Sequence, residues 1–125
     1  MKSFEELECW KRGREIRVEV SGLVKTFPSE EKYALTSQML RCSRSVTNNI
    51  VEGYGRFHYQ ENAQFCRHSR GSLYELIDHL LIAKEEGYIN KIQFEELNEK
   101  CFNCIKILNG YIKYLLDAKK SQPPK

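Results

Sequence analysis

Apolar residues recur at steps of three and four along four segments of the chain, and short joints separate these segments. This spacing places the apolar side chains on one face of an α-helix. No segment shows the strict alternation that is typical of a β-strand. The pattern therefore predicts an all-α protein whose helices cover residues 4–25, 29–53, 61–86 and 90–118.

Residues with known conformational preferences mark the joint on each side of the second helix. Pro28 disfavours a helical conformation at Phe27, and Ser29 is a good N-cap for the helix that follows. Either Gly53 or Gly55 can adopt the left-handed conformation that ends a helix. We therefore expect the second helix to run from Ser29 to Gly53.

The fourth segment carries the clearest local signals. Gly87 predicts the end of the third helix, and Asn90 with Gln93 three residues later predicts a capping box. Four helices with short joints imply an antiparallel up-down-up-down four-helix bundle. We assign residues 1–118 to this bundle and residues 119–125 to a disordered tail. A heptad-like apolar seam follows the cap: Phe94, Leu97, Cys101, Cys104, Leu108, Tyr111 and Leu115.

Two further features carry expectations about packing. Gly71 lies within the third helix, where a glycine costs about 1 kcal/mol relative to alanine. We expect a neighbouring backbone to approach it closely. Four aromatic residues near helix ends are expected to pack at the edge of the core: Trp10, Tyr33, Tyr54 and Tyr88.

The second helix has an unusual polar face. A solvated face usually carries Lys and Glu, whereas this one carries Arg, Asn, Gln and Ser, which make directed hydrogen bonds. We expect a polar network that holds helices or subunits in register. Its expected members are Gln38, Arg41, Asn49, Glu52 and Glu75. Within it, Arg41 is predicted to pair with Glu52 or Glu75 from another helix.

The composition is that of one globular domain. The chain has 125 residues, of which 41% are hydrophobic and 30% charged. A chain of this length can bury one core without disulfides or metals. No apolar run approaches the roughly 20 residues of a membrane helix, and acidic residues occupy the start of the chain. We therefore expect a cytoplasmic protein that has no membrane partner.

The chain offers little support for a metal, a cofactor or catalysis. Its five cysteines are odd in number and scattered, and Cys101 and Cys104 fall on the apolar seam, so we expect buried core thiols. The Glu-x-x-His motif of di-iron bundles is absent. Glu75 and His79 are four residues apart, which predicts a surface pair, and the other two histidines are also expected to be exposed. No acid–base or nucleophile motif occurs. We therefore expect no enzyme, catalytic residue, metal ligand or cofactor.

Arginines account for the positive charge. The net charge is +3, and residues 41–70 carry five Arg against two Glu, which equals the whole excess. The functional interpretation is phosphate contact, with Tyr54, Phe57 and Tyr59 available to stack on bases. The alternative is a solvated face, or salt bridges to a neighbouring subunit. The candidate nucleic-acid-binding residues are Arg41, Arg44, Arg56, Arg67 and Arg70.

Several motifs together resemble one protein family. They begin with Phe4-x-x-Leu7-x-x-Trp10-Lys11 and continue through Phe27-Pro28-x-x-Glu31-x-Tyr33-x-Leu35-x-x-Gln38. Next come Arg41-x-x-x-Ser45-x-x-x-Asn49-Ile50-x-Glu52-Gly53-x-Gly55-Arg56, Gly71-Ser72-Leu73-x-Glu75-Leu76 and Gly87-Tyr88-Ile89. The chain resembles the four-helix-bundle proteins encoded by intervening sequences of 23S ribosomal RNA genes. Those proteins are related to the accessory variability proteins of diversity-generating retroelements. Gly13 departs from the Ala that the family commonly has, and should loosen the first helix slightly.

The resemblance implies properties that the helical pattern does not. It implies a homo-oligomeric ring, typically a homopentamer. For the retroelement relatives it implies a basic surface that binds nucleic acid and a reverse transcriptase. For the intervening-sequence members it implies no established activity.

Two hypotheses about function follow. The first is a non-enzymatic, homo-oligomeric accessory protein that binds RNA or DNA, or a nucleic-acid enzyme such as a reverse transcriptase. The second is a purely structural assembly or protein-interaction module with no nucleic-acid contact, in which the arginines serve subunit contacts. Salt-dependent RNA binding separates them.

Overall fold

The computed structural model describes residues 3–121, and these form four α-helices connected by turns and short 3-10 helices. The helices are α1 (Glu8–Leu23), α2 (Leu35–Gly55), α3 (Tyr59–Glu85) and α4 (Lys91–Lys120). No β-strand occurs among the described residues. None of their helices combines the length and the apolar character that crossing a membrane requires. The prediction of an all-α four-helix protein is confirmed.

Contacts between helices show the antiparallel arrangement. Each helix packs on the next in sequence, and α1 also packs on α4, which closes the bundle. In the α1–α4 pair, the Cys104 thiol lies 3.8 Å from the Cys9 carbonyl, while Lys100 pairs with Glu15 at 3.2 Å. Later residues of α4 therefore meet earlier residues of α1.

The α2–α3 pair is also antiparallel, and its contact is close. The Ser69 hydroxyl, fully buried, donates a hydrogen bond of 2.7 Å to the Val46 carbonyl. Two turns along α2, Gly53 lies against α3, where an added Cβ would be 2.8 Å from Asn62 Oδ1 and from Phe65 Cβ. Small residues thus let the backbones of α2 and α3 approach one another.

All four helices contribute to one core. Ile16, Met39, Leu73 and Leu108 come from successive helices, and each is at most 1% exposed. The apolar stripes read from the sequence meet along the bundle axis, as helical spacing requires. All five cysteines are free and buried, so the expected core thiols are confirmed.

Gly13 is part of the contact between α1 and α2. It is buried, and an added Cβ would lie 3.1 Å from both Thr47 Cγ2 and Val46 Cγ1. Whatever the glycine costs α1 in helix propensity, it leaves room for the side chains of α2.

The start of α2 differs from the prediction. Ser29 begins a short 3-10 helix, Ser29–Glu31, and α2 starts only at Leu35. Ala34 has non-helical backbone angles, φ −119° and ψ −107°, and separates the two. The Leu35 N–H instead donates to Glu31 Oε1 at 3.3 Å. A side chain four residues before the helix thus takes the capping role expected of Ser29.

The glycine expectations were partly wrong. Neither Gly53 nor Gly55 is left-handed, and Phe57, with φ 58°, makes the turn between α2 and α3. The chain stays helical through Gly55. The glycine at position 53 serves the close contact with α3 and makes no left-handed turn. Gly71 is exposed and an added Cβ would meet nothing within 4 Å, so no neighbouring backbone explains it.

The signals around the fourth helix were accurate. Gly87 has φ 78°, in the left-handed region that ends α3. Asn90 and Gln93 form the predicted capping box, with reciprocal bonds of 2.8 and 2.9 Å. α4 continues through Lys120, so the first two residues assigned to the tail are helical. Residues 122–125 of the expected tail lie outside the described residues.

Candidate nucleic-acid interface

A shallow groove of about 690 Å³ follows the outer side of α2 and the turn before it. Arg41, Arg44 and Asn48 reach it from an exposed stripe along the helix. Residues three and four apart are neighbours on a helix surface, so these side chains lie side by side. Lys32 and Tyr33 contribute from the turn before α2. We call this surface the α2 groove.

The α2 groove is positively charged. Its lining includes Lys32, Arg41 and Arg44 but no Asp or Glu. Within residues 3–121, neither arginine forms a salt bridge with a carboxylate. The planar guanidinium groups are therefore available to an anion outside the chain, and phosphate suits their paired donors.

Tyr33 adds an aromatic surface to this charge. It is 87% exposed, which corrects the expectation that it packs at the edge of the core. The Lys32 ammonium lies 5.4 Å from the centre of its ring. An exposed ring beside cations is the combination that single-stranded nucleic-acid sites use for stacking and backbone contact. Trp10, Tyr54 and Tyr88 are half-buried against the core, as expected.

The other three candidate arginines are held by neighbouring side chains. Arg56 pairs with Glu52 at 3.1 Å and lies 3.9 Å from a Glu61 oxygen. Arg67 donates to Gln64 at 3.2 Å, on its own helix. Arg70 donates to Asn109 on α4 at 2.7 Å. Arg41 and Arg44 are thus the only two of the five that line the α2 groove.

The expected polar network takes a different form. Asn49 Nδ2 donates to both the carbonyl and the hydroxyl oxygen of Ser45, each at 2.9 Å. The Ser72 hydroxyl donates to the Ser45 hydroxyl at 2.9 Å, which links α3 to α2. Asn49 therefore contributes to helix register through Ser45.

The predicted ion pair of Arg41 is not formed within residues 3–121. Glu52 pairs with Arg56 on its own helix, and Glu75 lies 3.5 Å from His79. Arg41 is exposed on α2 and lines the α2 groove. Gln38 is also exposed, and no side-chain hydrogen bond joins it to the described part of the chain.

Comparison with known proteins identifies the family. The profile described as 23S rRNA-intervening sequence protein matches residues 5–110. The chain belongs to this family. It is similar to the crystal structure of a protein of unknown function from the S23 ribosomal protein family of Bacteroides thetaiotaomicron, with a TM-score of 0.77. The two are 23% identical, and the alignment covers 84% of this chain and 98% of the other, so the likeness concerns the fold. A search of curated protein sequences finds no match.

The turn between α2 and α3 offers fewer exposed aromatic rings than expected. Phe57 is 87% exposed, but Tyr54 and Tyr59 are half-buried against the core. They line a second depression, of about 560 Å³, together with Tyr111. Asn62 Nδ2 donates to the Tyr111 hydroxyl at 3.1 Å, and burial raises the pKa of Tyr111 to about 12. Tyr54 and Tyr59 therefore pack against the core at this end of the bundle, and only Phe57 is left exposed for stacking.

His79 is the one histidine whose predicted exposure was wrong. His58 and His68 are exposed, whereas the His79 side chain is only 15% exposed and lies on the side of α3 that faces α2. Glu75 and the thiol of Cys42 lie beside it. No sequence motif predicts that Cys42, Glu75 and His79 meet, because Cys42 belongs to a different helix. The only local signal is the i, i+4 spacing of Glu75 and His79.

Proposed function

We propose that this protein is a non-enzymatic, homo-oligomeric accessory protein that binds RNA through the α2 groove. The observation that carries the proposal is that Lys32, Arg41 and Arg44 share one groove with no acidic residue. A cluster of unneutralised cations attracts a polyanion and releases its counterions on binding. The family name refers to 23S rRNA, which makes a segment of that RNA the natural probe.

The shape and chemistry of the α2 groove favour a single strand. The groove is shallow, and Tyr33 presents a ring that any base can stack on. Asn48 and the half-buried Ser45 add donors and acceptors beside the arginines. Contacts to the phosphate backbone, together with one stacked base, would hold a strand in place. Such contacts distinguish little of its sequence.

Exposed apolar side chains support the homo-oligomeric part of the proposal. Tyr74 on α3 is 52% exposed, and Phe102 on α4 is 45% exposed. Their rings form an edge-to-face pair with centroids 6.1 Å apart, on the surface between the two helices. A paired aromatic surface of this kind suits a contact between copies. A ring of five, as the resemblance implies, would repeat the α2 groove and increase avidity for a long RNA.

The test is the salt dependence of RNA binding. Fluorescence anisotropy with a labelled single-stranded segment of 23S rRNA would be measured over a series of salt concentrations. The triple variant Lys32→Gln, Arg41→Gln and Arg44→Gln should reduce the slope of log K against log salt by about 2, since each single-strand phosphate contact contributes about 0.7. The control changes three exposed cations outside the groove, Arg14→Gln, Lys25→Gln and Lys106→Gln, and removes the same charge.

The outcomes separate RNA binding from a purely structural role. Equal slopes for the groove variant and the control variant would contradict the proposal, as would a wild-type protein that fails to bind at low salt. Light scattering of each variant reports the subunit count. If the groove variant dissociates the oligomer and binding is unchanged, the structural assembly function is correct. Co-purification with a reverse transcriptase would test the protein partner that the resemblance implies.

A further inference from the structure

We propose that Cys42, Glu75 and His79 form a binding site for a divalent transition-metal ion, and that Zn²⁺ is the ion the site fits best. The thiol comes from α2, and the carboxylate and imidazole come from successive turns of α3. None of the three lines the α2 groove, so this proposal is independent of RNA binding.

The distances suit one ion shared by three ligands. One ligand atom from each side chain lies within 4.8 Å of the other two. His79 Nε2 and Glu75 Oε2 are 3.5 Å apart. A tetrahedral zinc site with bonds of about 2.0–2.1 Å to nitrogen and oxygen separates those two atoms by about 3.3 Å. The α3 pair is therefore already close to the required spacing, and the Cys42 sulfur lies within 4.8 Å of both ligand atoms.

His79 gives a second and independent indication. Both of its ring nitrogens are buried, and neither has a hydrogen-bond partner among the described residues. Buried polar atoms are nearly always satisfied, so an imidazole with two unsatisfied nitrogens calls for a missing partner. A metal ion bound to one nitrogen would satisfy it, and imidazole is the commonest metal ligand among side chains.

The donor set selects the ion. A thiolate and an imidazole favour zinc and other late transition metals over Mg²⁺ and Ca²⁺, which take oxygen ligands. As the metal–sulfur bond forms, the Cys42 thiol releases its proton to the solvent. The thiol now donates to the Ser72 carbonyl at 2.9 Å, and this hydrogen bond would be lost.

The three ligands differ in burial, and this difference shows which side of the site faces the solvent. Cys42 is 3% exposed, whereas the Glu75 side chain is 57% exposed. The thiolate would therefore lie at the base of the site and the carboxylate at its mouth. Three protein ligands leave a fourth position of a tetrahedral ion for water or a group from outside.

Cobalt provides a direct optical test. The full chain, purified under reducing conditions and stripped with a chelator, would be titrated with CoCl₂ and then with ZnCl₂. We expect one Co²⁺ per chain, visible bands of tetrahedral intensity and a thiolate-to-cobalt band in the near ultraviolet. Zinc should then remove both signals by displacement.

Variants assign the ligands. Cys42→Ala should abolish the thiolate-to-cobalt band, whereas the control Cys101→Ala, another buried thiol, should retain it. Glu75→Gln and His79→Gln should each weaken Co²⁺ binding at least about tenfold, since removal of a supporting residue alone costs that much at known sites.

Two results would overturn the proposal. One is a wild-type titration that gives no thiolate-to-cobalt band, and the other is an unchanged band in Cys42→Ala. Far-ultraviolet circular dichroism checks that each variant is folded. If Cys42→Ala fails to fold, Glu75→Gln decides, because that side chain is 57% exposed and its replacement leaves the core intact. Unchanged Co²⁺ affinity in Glu75→Gln would then overturn the proposal.

Discussion

The Tyr88 hydroxyl donates a hydrogen bond of 2.7 Å to Glu31 Oε2, across 57 residues of sequence. The other carboxylate oxygen of Glu31 accepts the Leu35 N–H at the start of α2. The Tyr88 ring also packs on Phe27, with centroids 5.4 Å apart. One carboxylate thus connects the joint between α3 and α4 to the first turn of α2.

Replacing Tyr88 with Phe should lower the free energy of unfolding at neutral pH, because Glu31 loses its hydroxyl donor. The hydrogen bond to Glu31 raises the pKa of Tyr88 from 10.0 to about 12. A raised pKa stabilises the fold below the ordinary value, and this stabilisation is lost as the pH rises. Urea unfolding should therefore show a difference between wild type and Tyr88→Phe that shrinks between pH 10 and pH 12. The control Tyr33→Phe, at an exposed tyrosine, should show little difference at any pH.

Alanine at two helical glycines should have opposite effects. At Gly53 a Cβ would be 2.8 Å from Asn62 Oδ1, so Gly53→Ala forces α3 away and should destabilise by about 1 kcal/mol or more, despite its better helix propensity. At Gly71 a Cβ meets nothing within 4 Å, so Gly71→Ala should stabilise by about 0.5–1 kcal/mol. Urea unfolding measures both changes. A Gly53→Ala variant at least as stable as wild type would show that the α2–α3 contact is looser than the structure indicates, and a destabilised Gly71→Ala would contradict the open space at that position.

The buried Ser69 hydroxyl should contribute to stability through its bond to the Val46 carbonyl. Ser69→Ala removes this link between α3 and α2 and should cost about 1 kcal/mol. Ser37→Ala is the control, since no interhelical hydrogen bond is made by that hydroxyl among the described residues. A Ser69→Ala variant as stable as wild type would show that the hydrogen bond contributes nothing net.

The buried thiols should make the protein sensitive to alkaline pH. Burial raises the pKa of Cys9 from 9.0 to about 11, and those of Cys66, Cys101 and Cys104 to about 12. These raised values stabilise the fold below pH 9, and the stabilisation is lost as the pH rises toward 11–12, because only the unfolded chain ionises. Each thiol should lower the free energy of unfolding by up to about 1.4 kcal/mol per pH unit.

Urea midpoints at pH 8 and pH 10 measure this loss. Cys66→Ala removes one thiol and should reduce the dependence on pH by the share of that thiol, although it also leaves a small cavity that lowers stability at both pH values. A stability that stays constant between the two pH values would show that the thiols ionise equally in the folded and unfolded chains.

Capping and glycine signals predicted the helix ends well where no other part of the fold competed with them. The capping box at Asn90 and the left-handed Gly87 are formed as the sequence predicted, because each depends on residues within one turn. Ser29 failed as the cap of α2 because Glu31, anchored by Tyr88, reaches the first turn instead. The expectation for Gly71 failed because helical spacing says which face a glycine lies on, and not whether another helix comes close there.

The candidate sites were predicted less completely. Arg41 and Arg44 could be singled out because they lie on the outer face of one helix, and the sequence shows that face directly. The hydrogen bond from Arg70 to Asn109 depends on how α3 packs on α4, which periodicity does not specify. The Glu52–Arg56 pair has the i, i+4 spacing that a helix brings together, so the sequence could have predicted it.

The amino-acid sequence alone determined the number and order of the helices, their buried faces and the positions of the core cysteines. These follow from a helical period and from caps, which are local properties of the chain. Only the tertiary structure decided that Cys42 meets Glu75 and His79, and that Gly53 touches α3. Such meetings depend on how far one helix is shifted and rotated against its neighbour, and the packing of the whole core sets both.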